Sequence, residues 1–289
     1  MLRLEEHPPR SSRQPQDGLS RAHAPRVDGQ VRVDDFDRFL FVVGAPRCGT
    51  TTLFHLLKSN GSVASPFVKE PHFFAQHDLR DVPETDLRNR IERDYLRRFF
   101  DSDPARRIGL DASVTYLYAP EQLEPVLRIW PQSRFIVSLR DPLTMLPSLH
   151  KRLIYNGDES IGSFAEAWGA VPERRRGRRV PRNCAEASWL LYDEPCRYFT
   201  YLQRLFSAVG RERCLVLLFD DLVADPTRHH ARLMEFAGLP APPGVEVAAH
   251  RPTYEVRLRW LQRLLKRPPK ALREKIAGDK FWRRFRDLD

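Results

Sequence analysis

Arg38-Phe39-Leu40-Phe41-Val42-Val43-Gly44-Ala45-Pro46-Arg47-Cys48-Gly49-Thr50-Thr51-Thr52-Leu53-Phe54-His55-Leu56-Leu57 is the stretch that decides the fold. Its opening is a short, almost unbroken apolar run, the pattern of a strand covered on both faces. Leu53 to Leu57 reads as a helix. Between the two lies the turn Gly44–Thr52. In a strand–turn–helix setting such a turn cups an anion, because its backbone N–H groups point inward and the helix N-terminus adds partial positive charge. Gly44 and Gly49 have the spacing of the nucleotide loop that continues with Lys and then Ser or Thr, but Thr50 stands where that Lys would be. The nearest cation is Arg47. An ATPase or GTPase uses the Lys to reach the β- and γ-phosphates, so this loop predicts a different nucleotide.

The pattern recurs outward from the loop. A short strand is expected over Arg107–Ser113, then a helix over about Glu121–Ile129. Arg134–Leu139 reads as another buried strand, and Pro142 sits where it can open a helix running to about Ile154. A long helix is expected over Ser188–Val209, striped by Leu190, Leu191, Tyr198, Tyr201, Leu202 and Leu205. Cys214–Phe219 is a third strongly apolar strand, and Pro226–Phe236 a helix. Alternation of this kind predicts an α/β fold: one P-loop-type domain with a central parallel sheet and helices on both faces. Residues 1–35 are rich in Arg, Pro, Ser, Asp and Gln and read as a disordered tail. Residues 36–289 then form the domain, ending in a basic helical region.

The 289 residues are 42% hydrophobic and 30% charged, a globular balance. No run of 18 apolar residues predicts a membrane span, and the N-terminus lacks the apolar core of a signal peptide. Cys48, Cys184, Cys196 and Cys214 form no CxxC pair and no zinc spacing, which suits a reduced, cytoplasmic protein without a metal. The net charge of +10 is uneven. Arg251–Asp289 holds 13 Lys/Arg against 5 Asp/Glu, and residues 171–182 hold six Arg and one Glu. No nucleic-acid signature accompanies the charge, so nucleic acid is not expected; an anionic small molecule and an ordinary solvated surface both account for it.

Pro46-Arg47-Cys48-Gly49-Thr50-Thr51, directly after the first strand, resembles the 5′-phosphosulfate loop of sulfotransferases that use 3′-phosphoadenosine 5′-phosphosulfate (PAPS). The strand Arg134–Leu139 leads into Arg140, with Ser148 eight residues on, and this is similar to the family's block for the 3′-phosphate. The run Lys69-Glu70-Pro71-His72-Phe73-Phe74 looks like the segment after the second strand in heparan-type and bacterial members. Late in the chain, Asp220-Asp221-Leu222 resembles a structural block at a strand exit.

The resemblance implies that Arg47, Cys48, Gly49, Thr50, Thr51 and Thr52 hold the donor's 5′ side, and that Arg140 and Ser148 hold its 3′-phosphate. It implies no metal. Either Glu70 or His72 is the base, since a hydroxyl attacking sulfur must lose its proton. It further implies a hydroxyl-bearing acceptor, a carbohydrate or a small molecule. One departure bears on that acceptor. Some heparan-type members carry a Lys where Asp111-Ala112-Ser113-Val114-Thr115-Tyr116 has Ala112, so a highly sulfated glycan is less supported than a smaller acceptor. Two other classes remain: a P-loop kinase-like nucleotide enzyme, and an inactive polyanion-binding protein on the same fold.

Overall fold

The computed structural model describes residues 30–182 and 184–240. The N-terminal tail up to residue 29 and the basic C-terminal region lie outside the described residues. Five strands form one parallel sheet: β1 (Arg38–Gly44), β2 (Val63–Ala64), β3 (Ile108–Asp111), β4 (Arg134–Leu139) and β5 (Cys214–Leu218). Their spatial order is β2-β3-β1-β4-β5. The helices are α1 (Thr50–Lys58), α2 (Phe73–Gln76), α3 (Glu84–Ile91), α4 (Arg97–Phe99), α5 (Glu124–Ile129), α6 (Pro142–Asn156), α7 (Phe164–Gly169), α8 (Val171–Arg175), α9 (Tyr198–Val209), α10 (Phe219–Ala224) and α11 (Pro226–Ala237).

The continuous apolar strands are buried on both faces because successive side chains alternate between them. Phe39, Phe41 and Val43 of β1, with Phe135 and Val137 of β4, join one core with residues of α3, α5, α6 and α9. Leu40, Val42 and Ile136 point the other way and pack with Leu53, Leu56 and Leu57 of α1 and Leu233 and Met234 of α11. The first core is aromatic: Phe41 stacks on Phe135 at 5.5 Å, and Phe39 meets Trp130 at 4.4 Å.

The bounds of β4 are those expected. Others differ for local reasons. The helix expected over Ser188–Val209 begins only at Tyr198; a 3₁₀ turn, Ala187–Leu190, precedes it. Pro195 interrupts the apolar stripe, since it lacks an N–H and pushes Glu194 away from helical backbone. Phe219, expected as the last residue of the third strand, opens α10, so Asp220-Asp221-Leu222 is helical. The two-residue strand β2 has no counterpart among the expected strands. The residues just before β1, expected as the end of the tail, pack onto the first core: Val31 and Val33 are buried, and the Trp130 indole N–H donates to the Val33 carbonyl at 3.2 Å.

From β1 the chain runs to β2 on one side of the sheet, and from β4 it runs to β5 on the other. The connections diverge between the carboxyl ends of β1 and β4. That is where open α/β sheets leave a crevice for a ligand.

Candidate active site

The loop at the end of β1 is tied to β4 through main-chain atoms. Ala45 N–H donates to the Ser138 carbonyl at 2.7 Å, and the buried Ser138 hydroxyl donates to the Cys48 carbonyl at 2.6 Å. Gly49 caps α1 in the left-handed region, φ +79°. A Cβ there would lie 2.8 Å from Cδ2 of Phe219, so glycine is required by conformation and by space alike. Arg47 is also left-handed, at φ +65°, a conformation that costs energy for a residue with a side chain. Thr50 and Thr52 are buried at the start of α1 and Thr51 is half-buried. The loop therefore offers the helix's first N–H groups beside an arginine.

The two motifs expected to share one donor meet here. Arg47 Nε donates to Ser148 Oγ of α6 at 3.0 Å. Arg140, just past β4, donates through Nε to Thr144 Oγ1 at 3.0 Å and through Nη1 to the Arg47 carbonyl at 3.5 Å. Its guanidinium lies 4.8 Å from the Phe219 ring centroid. The Arg140 carbonyl accepts from the Tyr198 hydroxyl of α9 at 3.0 Å. Cys48 contributes main chain rather than a nucleophile: burial pushes its thiol up to about 12. Two arginines at one loop make a site for an anion with more than one charged group.

Glu70 and His72 form a second cluster. Glu70 Oε1 lies 2.5 Å from Lys69 Nζ, and Oε2 lies 3.5 Å from His72 Nε2. All three side chains are partly exposed. His72 caps α2 in a left-handed conformation, φ +55°. Its Nδ1 is 2.8 Å from Thr115 Oγ1, and its N–H donates to Ser113 Oγ at 2.9 Å. Ser113 and Thr115 lie at or near the 3₁₀ turn Val114–Tyr118 after β3. Leu117 of the same turn packs against the base of the phosphate loop, within 2.9 Å of where a Cβ on Gly44 would stand. One short turn thus touches both clusters.

Sequence reading missed Ser138, Tyr198 and Phe219 as parts of this arrangement. Ser138 was hidden in an apolar strand and Tyr198 in a helical stripe. No signal in the sequence would have separated either from core packing. No group of three or more His, Cys, Asp or Glu suited to a metal occurs among the described residues. No described helix is long and apolar enough to cross a membrane.

A model of the sulfotransferase family matches residues 68–243, taking in Lys69–Phe74, Arg140 and Ser148. No curated protein matches the chain. Among solved structures, the sulfotransferase from Alicyclobacillus acidocaldarius is 26% identical, with a TM-score of 0.59 over 84% of this chain and 98% of that one. Sulfotransferase STF9 from Mycobacterium avium is 15% identical, with a TM-score of 0.40 over 73% of this chain and 67% of that one. A mouse sulfotransferase complexed with PAP is 13% identical, with a TM-score of 0.41 over 71% and 59%. The family model spans more than half of the chain and the parallel α/β sheet agrees with it, so the chain is an enzyme of the PAPS-dependent sulfotransferase family.

Proposed function

We propose that this enzyme transfers a sulfuryl group from PAPS to a hydroxyl of a carbohydrate-like or small aliphatic acceptor. The observation that carries the reading is the meeting of Arg47, Arg140 and Ser148 around one loop, with Glu70 and His72 joined to that loop through the turn after β3. Arg47, Cys48, Gly49, Thr50, Thr51 and Thr52 hold the 5′ side of the donor. Arg140 and Ser148 hold its 3′-phosphate. The donor supplies an activated sulfuryl group. The acceptor oxygen forms a bond to sulfur as the bond from sulfur to the 5′-phosphate oxygen breaks. Arg47 and the loop N–H groups stabilise the charge gathering on that leaving oxygen. Glu70 takes the acceptor proton, held between Lys69 and His72.

The donor assignment is tested by affinity for 3′-phosphoadenosine 5′-phosphate against AMP. A charge-assisted contact from Arg140 contributes about 1.5–3 kcal/mol, so the 3′-phosphorylated nucleotide binds roughly ten- to hundredfold more tightly. Equal affinities in calorimetry would remove the 3′ site.

Arg47→Ala lowers donor affinity and turnover together, each by about tenfold or more, because the guanidinium touches the phosphate before and during transfer. Arg47→Lys keeps substantial activity, since a cation stays in the loop. Wild-type kinetics in Arg47→Ala would mean that the loop does not hold the donor.

A further inference from the structure

Three residues at and just after the end of β3 hold His72 without belonging to the loop or to the base pair. Asp111 is fully buried at the end of β3. Four donors converge on its carboxylate. Ser113 N–H and Ser113 Oγ reach Oδ1 at 2.9 and 2.6 Å; Tyr95 and Tyr116 hydroxyls reach Oδ2 at 2.8 and 2.9 Å. Burial raises the Asp111 carboxyl, and the hydrogen bonds from Ser113, Tyr95 and Tyr116 oppose that rise.

The direction of each bond follows from what can donate. The His72 backbone N–H can only donate, so Ser113 Oγ accepts from it. The Ser113 hydroxyl proton is then committed to Asp111. That chain fixes the main chain of His72 in its left-handed conformation, which a residue with a side chain does not hold unaided. Thr115 fixes the ring. Nε2 lies 3.5 Å from a Glu70 oxygen, and a carboxylate beside that nitrogen favours a proton there, so the neutral ring carries its proton on Nε2. Nδ1 is then an acceptor, and the Thr115 hydroxyl donates to it.

We infer that Thr115 and Ser113, anchored by Asp111, are positioning residues for proton removal: they hold the main chain and the ring direction of His72, and through it the orientation of Glu70. This rests on the reading of Glu70 and His72 as the base pair. It extends the site to a block in which sequence resemblance marked only the absent Lys at Ala112. Here the carboxylate lies between Lys69 and a His72 that hydrogen bonds from the turn hold in place, with no charge at position 112.

Thr115→Val tests it, because the substitution keeps the shape of a half-buried side chain and removes only its hydroxyl. Long-range proton–nitrogen NMR of histidine imidazoles, under alkaline conditions that leave the ring neutral, reports the tautomer and the hydrogen bond received at Nδ1 without any acceptor substrate. The His72 signal is identified by its loss in His72→Asn. All three proteins carry the proton on Nε2, but the Nδ1 signal sits at its hydrogen-bonded position in wild type and Thr115→Ser and moves downfield in Thr115→Val, where the donor is lost. Turnover of labelled PAPS with octyl glucoside as acceptor falls about ten- to hundredfold in Thr115→Val, as for a misplaced catalytic group, while affinity for 3′-phosphoadenosine 5′-phosphate stays at the wild-type value. Thr115→Ser restores the rate.

An unchanged His72 Nδ1 signal in Thr115→Val overturns the inference. So does full turnover in Thr115→Val when Glu70→Gln is slow, and that result leaves the base assignment standing. Full turnover in Glu70→Gln removes the base assignment and the positioning role with it.

Discussion

Glu70→Gln keeps the fold and the nucleotide affinity and loses about 10²–10⁴-fold of the transfer rate, the range that general-base catalysis supplies. The substitution preserves the shape of the side chain and removes its proton affinity. It leaves Arg47, Arg140 and Ser148 untouched, so binding and chemistry separate. The measurement is single-turnover transfer from labelled PAPS at saturating donor. His72→Ala costs less than Glu70→Gln if the ring only orients the carboxylate. Because Lys69, Glu70 and His72 share one carboxylate, with Oε1 on the lysine and Oε2 facing the imidazole, the effects of the two variants are strongly non-additive. A fast Glu70→Gln beside a dead His72→Ala would move the base to His72 and weaken the carbohydrate-type reading of the acceptor.

Arg174→Met destabilises the fold by about 3–5 kcal/mol, which is the usual result of removing one partner of a buried ion pair. Arg174 Nη2 meets Glu159 Oε1 at 2.8 Å, and neither side chain is exposed. The carboxylate also accepts from Ser160 N–H, Ile161 N–H and the Tyr192 hydroxyl. Methionine keeps the length of the arginine stem, so little cavity forms. What remains is an uncompensated charge in a closed interior. For a domain of this size the midpoint of thermal unfolding falls by roughly 6–20 °C. The double variant Glu159→Gln/Arg174→Met recovers part of the loss, since the orphaned charge goes with its partner. A single variant melting with wild type would show that water reaches the pair. Within the arginine-rich segment, this one residue is part of the core. Arg175 instead pairs with Asp193 and Glu194 at the surface, where such contacts contribute little.

Legibility in the sequence followed the range of the interactions. β4 was readable to the residue because a continuous apolar run has no other use in a parallel sheet. The turn Gly44–Thr52 was readable because glycine spacing records a backbone need that holds wherever the loop is placed. β2 left no pattern: two residues cannot show a period. The false start of α9 has the opposite cause. Leu190 and Leu191 do pack in or against the core, but from a 3₁₀ turn and a loop, so burial imitated a helical stripe across Pro195. Val31 and Val33 were lost in a polar stretch because two buried valines set no composition. In the site, the motif residues were visible one by one. Their partners were not, because the bonds from Thr115 to His72 and from Arg47 to Ser148 cross 43 and 101 residues. Nothing local encodes such a distance.

The loop after β1 is held chiefly by what every amino acid possesses. Ser138 grips the Cys48 carbonyl, Arg140 reaches the Arg47 carbonyl, and Tyr198 grips the Arg140 carbonyl. The Cys48 side chain itself is enclosed, its sulfur 3.4 Å from the Pro46 carbonyl and beside the Tyr198 hydroxyl. Selection on the shape of this loop is therefore nearly blind to the identity of residue 48, provided it is small. Alanine or serine can drift into that position across generations without altering the cradle. The glycine beside it is barred from such drift, because the ring of Phe219 already occupies the space that a single methyl group would take.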